Sequence, residues 1–288
     1  MRGRQRPGNR AFLLPALAVM AAVALYTTGY SVYLALRDVS LISPPPYDFV
    51  GLENFRQALT EARAVAGFWR SIQYVAMAVV AELLLGLAIA LYLQRDFLGR
   101  KLVRALLLIP MIMTPVVVGL IWRIFYDPNA GIINYLLRGT PFQDSDWLGS
   151  PRLAMGAVVV ADIWQWTPFV ILIVMAALDA MSTEPVEAAR IDGASGVQVF
   201  RYVVLPLLRP ALVIAGLLRL IDSFKVFDLI YVMTRGGPAL ATETVNMYAY
   251  IEGFSNFNIS YAVALSLLMT VVTSVGLTWV YQRVRVQG

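Results

Sequence analysis

Two stretches of this 288-residue sequence set acids, amides, hydroxyls and aromatic rings in otherwise apolar surroundings. In Asp162-Ile163-Trp164-Gln165-Trp166-Thr167-Pro168-Phe169, the residues Asp162, Gln165, Trp166 and Phe169 recur at i, i+3, i+4 and i+7, one face of a helix. Arg219, Asp222, Ser223 and Val226 repeat the same offsets further on. Carboxylates, amides and hydroxyls exchange hydrogen bonds with hydroxyl groups, and aromatic faces cover apolar C–H surfaces. Two such stripes lining a wet cavity would suit a sugar. The charges of Arg219, Asp222, Lys225 and Asp228 alternate, so pairing at i, i+3 lowers the cost of burying them. The alternation has no net sign and demands no charged substrate.

Structural roles compete for the same residues. Asp162 can be an acceptor between helices, and Arg219 with Asp222 can staple a bundle. Glu82 reads as glue between helices rather than as a ligand. Trp164 lies off the main stripe, and either it or Trp166 can be a core or interfacial ring.

Composition excludes much else. The chain has no cysteine and no histidine, which removes thiolate sites, the commonest metal ligand and the usual proton shuttle. No nucleophile–base or metal constellation stands out, so we expect no catalytic residues, no metal site and no enzyme. The net charge of +5 sits mostly in short polar segments, which argues against a nucleic-acid partner. Only 14% of residues are charged and 59% are hydrophobic. A soluble domain carries about a quarter charged residues. A mean hydropathy of +0.69 therefore places this chain in membrane lipid.

Spanning the hydrocarbon core takes about 20 mostly apolar residues. The sequence predicts six spans: about 11–36, 71–93 with Glu82 inside, 105–125 with Pro110 and Pro115, 153–178 with Asp162, 211–233 with the alternating charges, and 259–281. The first, preceded by Arg2, Arg4, Arg6 and Arg10, is expected to be a retained helix rather than a cleaved leader. Basic residues fall more densely beside the termini, around Arg95–Arg104 and around Arg190–Arg209 than on the other side. That bias predicts cytoplasmic N- and C-termini. Ser43-Pro44-Pro45-Pro46-Tyr47 reads as an extended external segment.

The segment from Asp179 to Leu208 is too polar to span and too patterned for a slack linker. Ser182 or Thr183 is placed to cap a helix with Pro185 in its first turn; Gly193 would turn the chain into a second short helix over 197–203; Leu205-Pro206 would open the next span. Glu187-Ala188-Ala189 is followed after three residues by Gly193, and after nine more by Val203-Val204-Leu205-Pro206. This spacing resembles the EAA loop of membrane subunits of ATP-binding-cassette importers, with Val203 in an isoleucine place.

Beyond the loop, the chain is similar to carbohydrate-type importer permeases, in particular to the larger maltose permease subunit. Phe49-Val50-Gly51-Leu52-Glu53-Asn54-Phe55, Glu82 to Leu93, Pro110 to Asn134, and Ser223 to Thr244 with its Gly236-Gly237-Pro238 turn each match family segments. The resemblance implies an all-α type I importer fold over residues 11–288, after a short cytoplasmic segment 1–10. Glu187, Ala188, Ala189, Asp192, Gly193, Leu205 and Pro206 would dock on an ATPase. It also implies a multi-pass protein of the bacterial inner membrane, partnered by lipid, a second permease, an ATPase dimer and an extracytoplasmic solute-binding protein. ATP and magnesium would belong to the ATPase, since no G-x-x-x-x-G-K-[ST] loop occurs here. Anchored on Pro168 and on the Gly-Gly-Pro turn, the family's sugar-contacting positions fall on Asp162, Trp164, Gln165, Trp166, Phe169, Arg219, Asp222, Ser223 and Val226. Asparagines of the maltose pattern are replaced by Asp162, Ser223 and Val226, and a serine by Arg219, so maltose itself is not implied. A permease for a non-sugar solute, such as a glycerophosphodiester or amino acid, or an ATP-independent transporter, are the alternatives.

Overall fold

The computed structural model describes residues 10–42 and 44–285, and these are almost entirely helical. The outcome follows from the solvent: hydrocarbon offers no hydrogen bonds, so a spanning backbone must satisfy itself. Among the described residues, five helices are long and apolar enough to cross a membrane, or six if one bent pair counts as a single span. The chain divides into two compact units, one holding residues up to 65 with 249–270, the other 66–248 with 271 onward.

In the first unit, α1 (Arg10–Ala35) presents apolar side chains outward between Leu14 and Tyr33, as a lipid-facing or partner-facing helix does. Its C-terminal carbonyls are not left orphaned. Asn54 donates its Nδ2 to the carbonyls of Ala35 and Arg37 at 2.8 and 3.0 Å, and the amides of Val50 and Gly51 donate to Leu36. The Phe49–Phe55 segment thus works as a cap folded back from α2 (Glu53–Thr60). The Ser260 hydroxyl accepts from the Val39 amide at 2.7 Å, and the Tyr261 hydroxyl donates to Glu61. Ser43 of the expected proline segment lies outside the described residues.

The second unit carries the elements that matter for a site. They are α3 (Ala62–Tyr92), α4 (Arg100–Ile112), α5 (Pro115–Phe125), a short α6 (Ile132–Leu136), α7 (Ala154–Ala180), α8 (Glu184–Ile191), α9 (Gly196–Val199), α10 (Leu205–Ser223) and α11 (Asp228–Met233). Ala90, Leu93, Val170, Ile171, Val174, Leu208 and Ala215 are buried together at its centre. Gly86 lets α3 approach α7 closely: a Cβ there would lie 2.5 Å from Val170 Cγ1. Small residues at such crossings are the usual means of packing helices where lipid supplies no hydrophobic drive. Beyond α11 come α12 (Val245–Tyr250) and α13 (Ile259–Arg285).

Two expected spans are corrected. The third is not one helix: α4 and α5 meet at a bend of 103° across residues 113–114. Pro115 lacks an amide hydrogen and pushes Thr114 out of helical geometry, to φ −70°, ψ 145°. The fifth does not run to 233. Helix α10 stops at Ser223, the amides of Lys225 and Val226 bond back to Asp222 and Ser223 in a turn, and α11 begins at Asp228. Asn246 supports the stop by donating its Nδ2 to the Phe224 carbonyl at 2.8 Å.

Candidate functional site: a polar cavity and a coupling loop

A single arginine organises the polar interior of the second unit. Arg219, in the last turns of α10, is 2% exposed. Its Nε and Nη2 donate to the two oxygens of Glu82 at 2.6 and 2.9 Å; Nη2 also donates to Asp162 at 3.0 Å, and Nη1 to Asp222 at 2.7 Å. Glu82 comes from α3, Asp162 from α7 and Asp222 from α10 itself. The expected i, i+3 pair with Asp222 is present, joined by two carboxylates from other helices. The Trp166 ring covers the guanidinium, with Cζ 4.8 Å from the centroid. Multiple charge-assisted hydrogen bonds of this kind offset the desolvation of buried charges.

Beside this network lies a cavity of about 240 Å³. Asp162, Gln165 and Trp166 of α7, Asp222 and Ser223 from the end of α10, and Val226 from the turn after it line the cavity, six of the nine expected contacts. Gln165 is 1% exposed and donates its Nε2 to the Met113 carbonyl at 3.0 Å, so it ties α7 to the break between α4 and α5. Its Oε1 and the Ser223 Oγ have no hydrogen-bond partner among the described residues. Both atoms are buried, on residues that line the cavity, and buried polar atoms without a partner are uncommon.

The other three expected residues stand elsewhere. Arg219 sits behind the wall, held by its carboxylates. Trp164 points to a different face, where it packs edge-on against Trp122 at 6.0 Å in an apolar cleft with Leu107, Pro110 and Ile171. Phe169 supports rather than lines the cavity, with its ring edge-on to Trp166 at 6.4 Å. Val226 reaches the wall from the turn after α10, not along a helical stripe. The cavity also takes Pro115, Lys225, Phe227, Asp228 and Leu229. Lys225 and Asp228 were visible in the sequence as members of the alternating charges; Pro115 arrives only through the bend before α5.

The patterned loop is a second feature. Thr183 stands at the N-cap of α8, but its side chain makes no capping bond; the Ser182 hydroxyl accepts from the Glu184 amide instead. Helix α8 closes in a Schellman arrangement: Gly193 N–H bonds to Arg190 O and Ala194 N–H to Ala189 O, with Gly193 at φ +82°. Ser195 and Gln198 then form a reciprocal capping box for α9, which is shorter than the expected second helix. A π-helical stretch over Phe200–Val204 follows and leads into α10 at Leu205. Pro206 has no amide to give, and the wider turn lets Leu205 bond to Phe200 instead. Glu187, Ala188, Asp192, Gly193 and Pro206 are exposed, while Ala189 and Leu205 are half-buried. Ala189, Asp192, Gly193, Gln198 and Tyr202 border a groove of about 320 Å³.

Comparison with known proteins identifies the class. Residues 82–286 match the family described as "Binding-protein-dependent transport system inner membrane component". A probable ABC transporter permease protein, y4oQ, of Sinorhizobium fredii is 40% identical over 261 residues, covering 90% of this chain and 84% of its own. The trehalose/maltose transport system permease protein MalF of Thermococcus litoralis is 34% identical over 274 residues, 94% of this chain and 91% of that one. Among solved structures, a bacterial ABC transporter involved in import of the acidic polysaccharide alginate has a chain superposing with a TM-score of 0.78. That match covers 96% of both chains at 18% identity, a likeness of fold. With spans, loop and matches in agreement, the chain is a multi-pass membrane protein and belongs to the binding-protein-dependent transport system inner membrane component family, the permeases of ATP-binding-cassette importers.

Proposed function

We propose that this chain is one of two permease subunits of an ATP-driven importer for a sugar or sugar-like solute, with the cavity beside Arg219 as its solute site. One observation carries the reading. The 28-residue helical segment Gly196–Ser223 begins in the exposed loop and ends at the cavity wall. At about 1.5 Å per residue it is a rod of roughly 40 Å. Movement imposed on the loop is thereby delivered to Asp222 and Ser223.

In this reading an ATPase dimer docks at Glu187, Ala188, Ala189, Asp192 and Gly193, with Leu205 and Pro206 passing its motion to α10. Both termini and the loop face the cytoplasm of a bacterial inner membrane, where ATP is, and an extracytoplasmic binding protein delivers solute from the other side. Hydrolysis then alternates access to the cavity by stabilising one state over the other. The solute's hydroxyls meet the lining residues Asp162, Gln165, Asp222 and Ser223, and the Trp166 ring covers an apolar sugar face. The trehalose, maltose and other sugar systems named among the relatives support the solute class.

The test is ATP-dependent uptake in proteoliposomes holding the complete transporter with its binding protein, using trehalose, maltose and xylose as probes. Sugar uptake that needs ATP and falls in Ser223→Ala, with basal hydrolysis retained, is the expected result. Uptake without ATP would make the chain a self-powered transporter instead. Retention of only amino acids or phosphodiesters by the binding protein would remove the sugar assignment.

A further inference from the structure

The charges around the cavity do not cancel as they do along the sequence. Asp162, Asp222 and Asp228 line it, with Lys225 as the one lining cation among the described residues. Arg219, 2% exposed, pairs with two of these acids, Asp162 and Asp222, and lies behind the wall rather than lining it. Four of its donor contacts go to Glu82, Asp162 and Asp222, and Trp166 covers its face. The guanidinium is therefore spent on its own carboxylates, and Glu82, 0% exposed, takes the largest share. Together the four acids and two bases carry a formal charge of −2.

We propose that this cavity is an anion-excluding filter, admitting uncharged polyhydroxyl solutes and turning away sugars that bear carboxylate, sulfonate or phosphate, and that Glu82 is the positioning residue that sets it by holding Arg219 out of reach. The proposal rests on the solute-site reading above but names a property of the cavity itself. Glu82 touches no solute; it decides whether the guanidinium faces other carboxylates or an incoming anion. Without it, Arg219 would regain free donors next to the cavity and offer a fork for anionic groups.

The chain contains no cysteine, so a single introduced thiol reports the cavity's field without any solute. In the complete detergent-solubilised transporter, Val226→Cys is reacted with cationic trimethylammonioethyl, anionic sulfonatoethyl and neutral methyl methanethiosulfonates. Each rate on this chain is divided by the rate with 2-mercaptoethanol. A like-signed cleft concentrates counter-ions by about tenfold or more. The corrected cation-to-anion ratio should reach that value and fall several-fold with Asp228→Asn or Glu82→Gln added. A ratio near or below one, a ratio untouched by Asp228→Asn, or no reaction even with the neutral reagent overturns the filter. Asp228 is exposed, so that variant remains informative if Glu82→Gln fails to assemble. Labelling needs neither ATP nor binding protein. An intact ratio without ATP-driven sugar uptake would sink the importer reading alone, and sugar uptake with a ratio near one would sink the filter alone.

Discussion

Glu82 and Arg219 lie 137 positions apart, and their side chains meet in two hydrogen bonds of 2.6 and 2.9 Å. The fork-to-fork contact joins α3 to α10 where both side chains are buried. Asp162 brings α7 into the same network, so one guanidinium holds three helices around the cavity.

Removing the cation should therefore be far worse than removing Asp222. Arg219→Met leaves Glu82 and Asp162 buried without a counter-charge, a loss of about 3–5 kcal/mol. The yield and thermal midpoint of the purified transporter should drop sharply, and adding Glu82→Gln with Asp162→Asn should recover most of both. Asp222→Ala should assemble normally, because Arg219 keeps two carboxylates. A stable Arg219→Met protein would show that the network holds nothing together.

The α3–α7 crossing makes a steric prediction. In Gly86→Ala the new Cβ falls 2.5 Å from Val170 Cγ1 and 2.6 Å from Val170 Cβ, so one helix must move. Overpacking of this kind costs about 1–3 kcal/mol. Val170→Ala in the same chain should relieve the clash, giving a double variant more stable than the sum of the two single losses. Thermal unfolding of all three variants checks this, and an unperturbed Gly86→Ala protein contradicts the close approach.

Gly193 is constrained by conformation and not by crowding. Its φ is +82°, while nothing lies within 4 Å of a would-be Cβ. Gly193→Val should cost about 1–2 kcal/mol in the local turn, and Gly193→Asn clearly less, since asparagine tolerates the left-handed region. If the loop couples to an ATPase, solute-stimulated hydrolysis should fall in the order glycine, asparagine, valine, and Glu187→Lys should abolish it with the protein still in the membrane. Full stimulation in Gly193→Val and Glu187→Lys would remove the loop from the coupling path.

Orientation can be read with single thiols at two exposed positions. Ser195→Cys, before α9, should react with an impermeant maleimide only after the cytoplasmic face is opened. Asn129→Cys, between α5 and α6, should react from outside in spheroplasts. The opposite pattern would reverse the topology and leave an ATPase no route to the loop.

Much of this architecture was legible in the chain because its causes are local. Hydropathy over about 20 residues marks a span whatever packs against it. The loop was legible for the same reason: Gly193 ends α8 through contacts reaching no further than Ala189, and the capping box of α9 closes between Ser195 and Gln198. The helical face of Asp162, Gln165 and Trp166 also followed from spacing, as did the displacement of Trp164 to another face.

What remained hidden depends on residues remote in sequence. Pro110 and Pro115 announce a disturbance, but the 103° bend is held where Gln165 of α7 binds the freed Met113 carbonyl. The charges after Arg219 looked like the continuation of a spanning helix. Instead the chain turns at Phe224, whose carbonyl is taken by Asn246, and Val226, Lys225 and Asp228 enter the cavity wall from the turn and from α11. The alternation of sign along the sequence suggested balance. Tertiary packing decided otherwise, because a charge is neutralised by the partners that reach it in space, and Arg219 is engaged by Glu82 and Asp162 from two other helices.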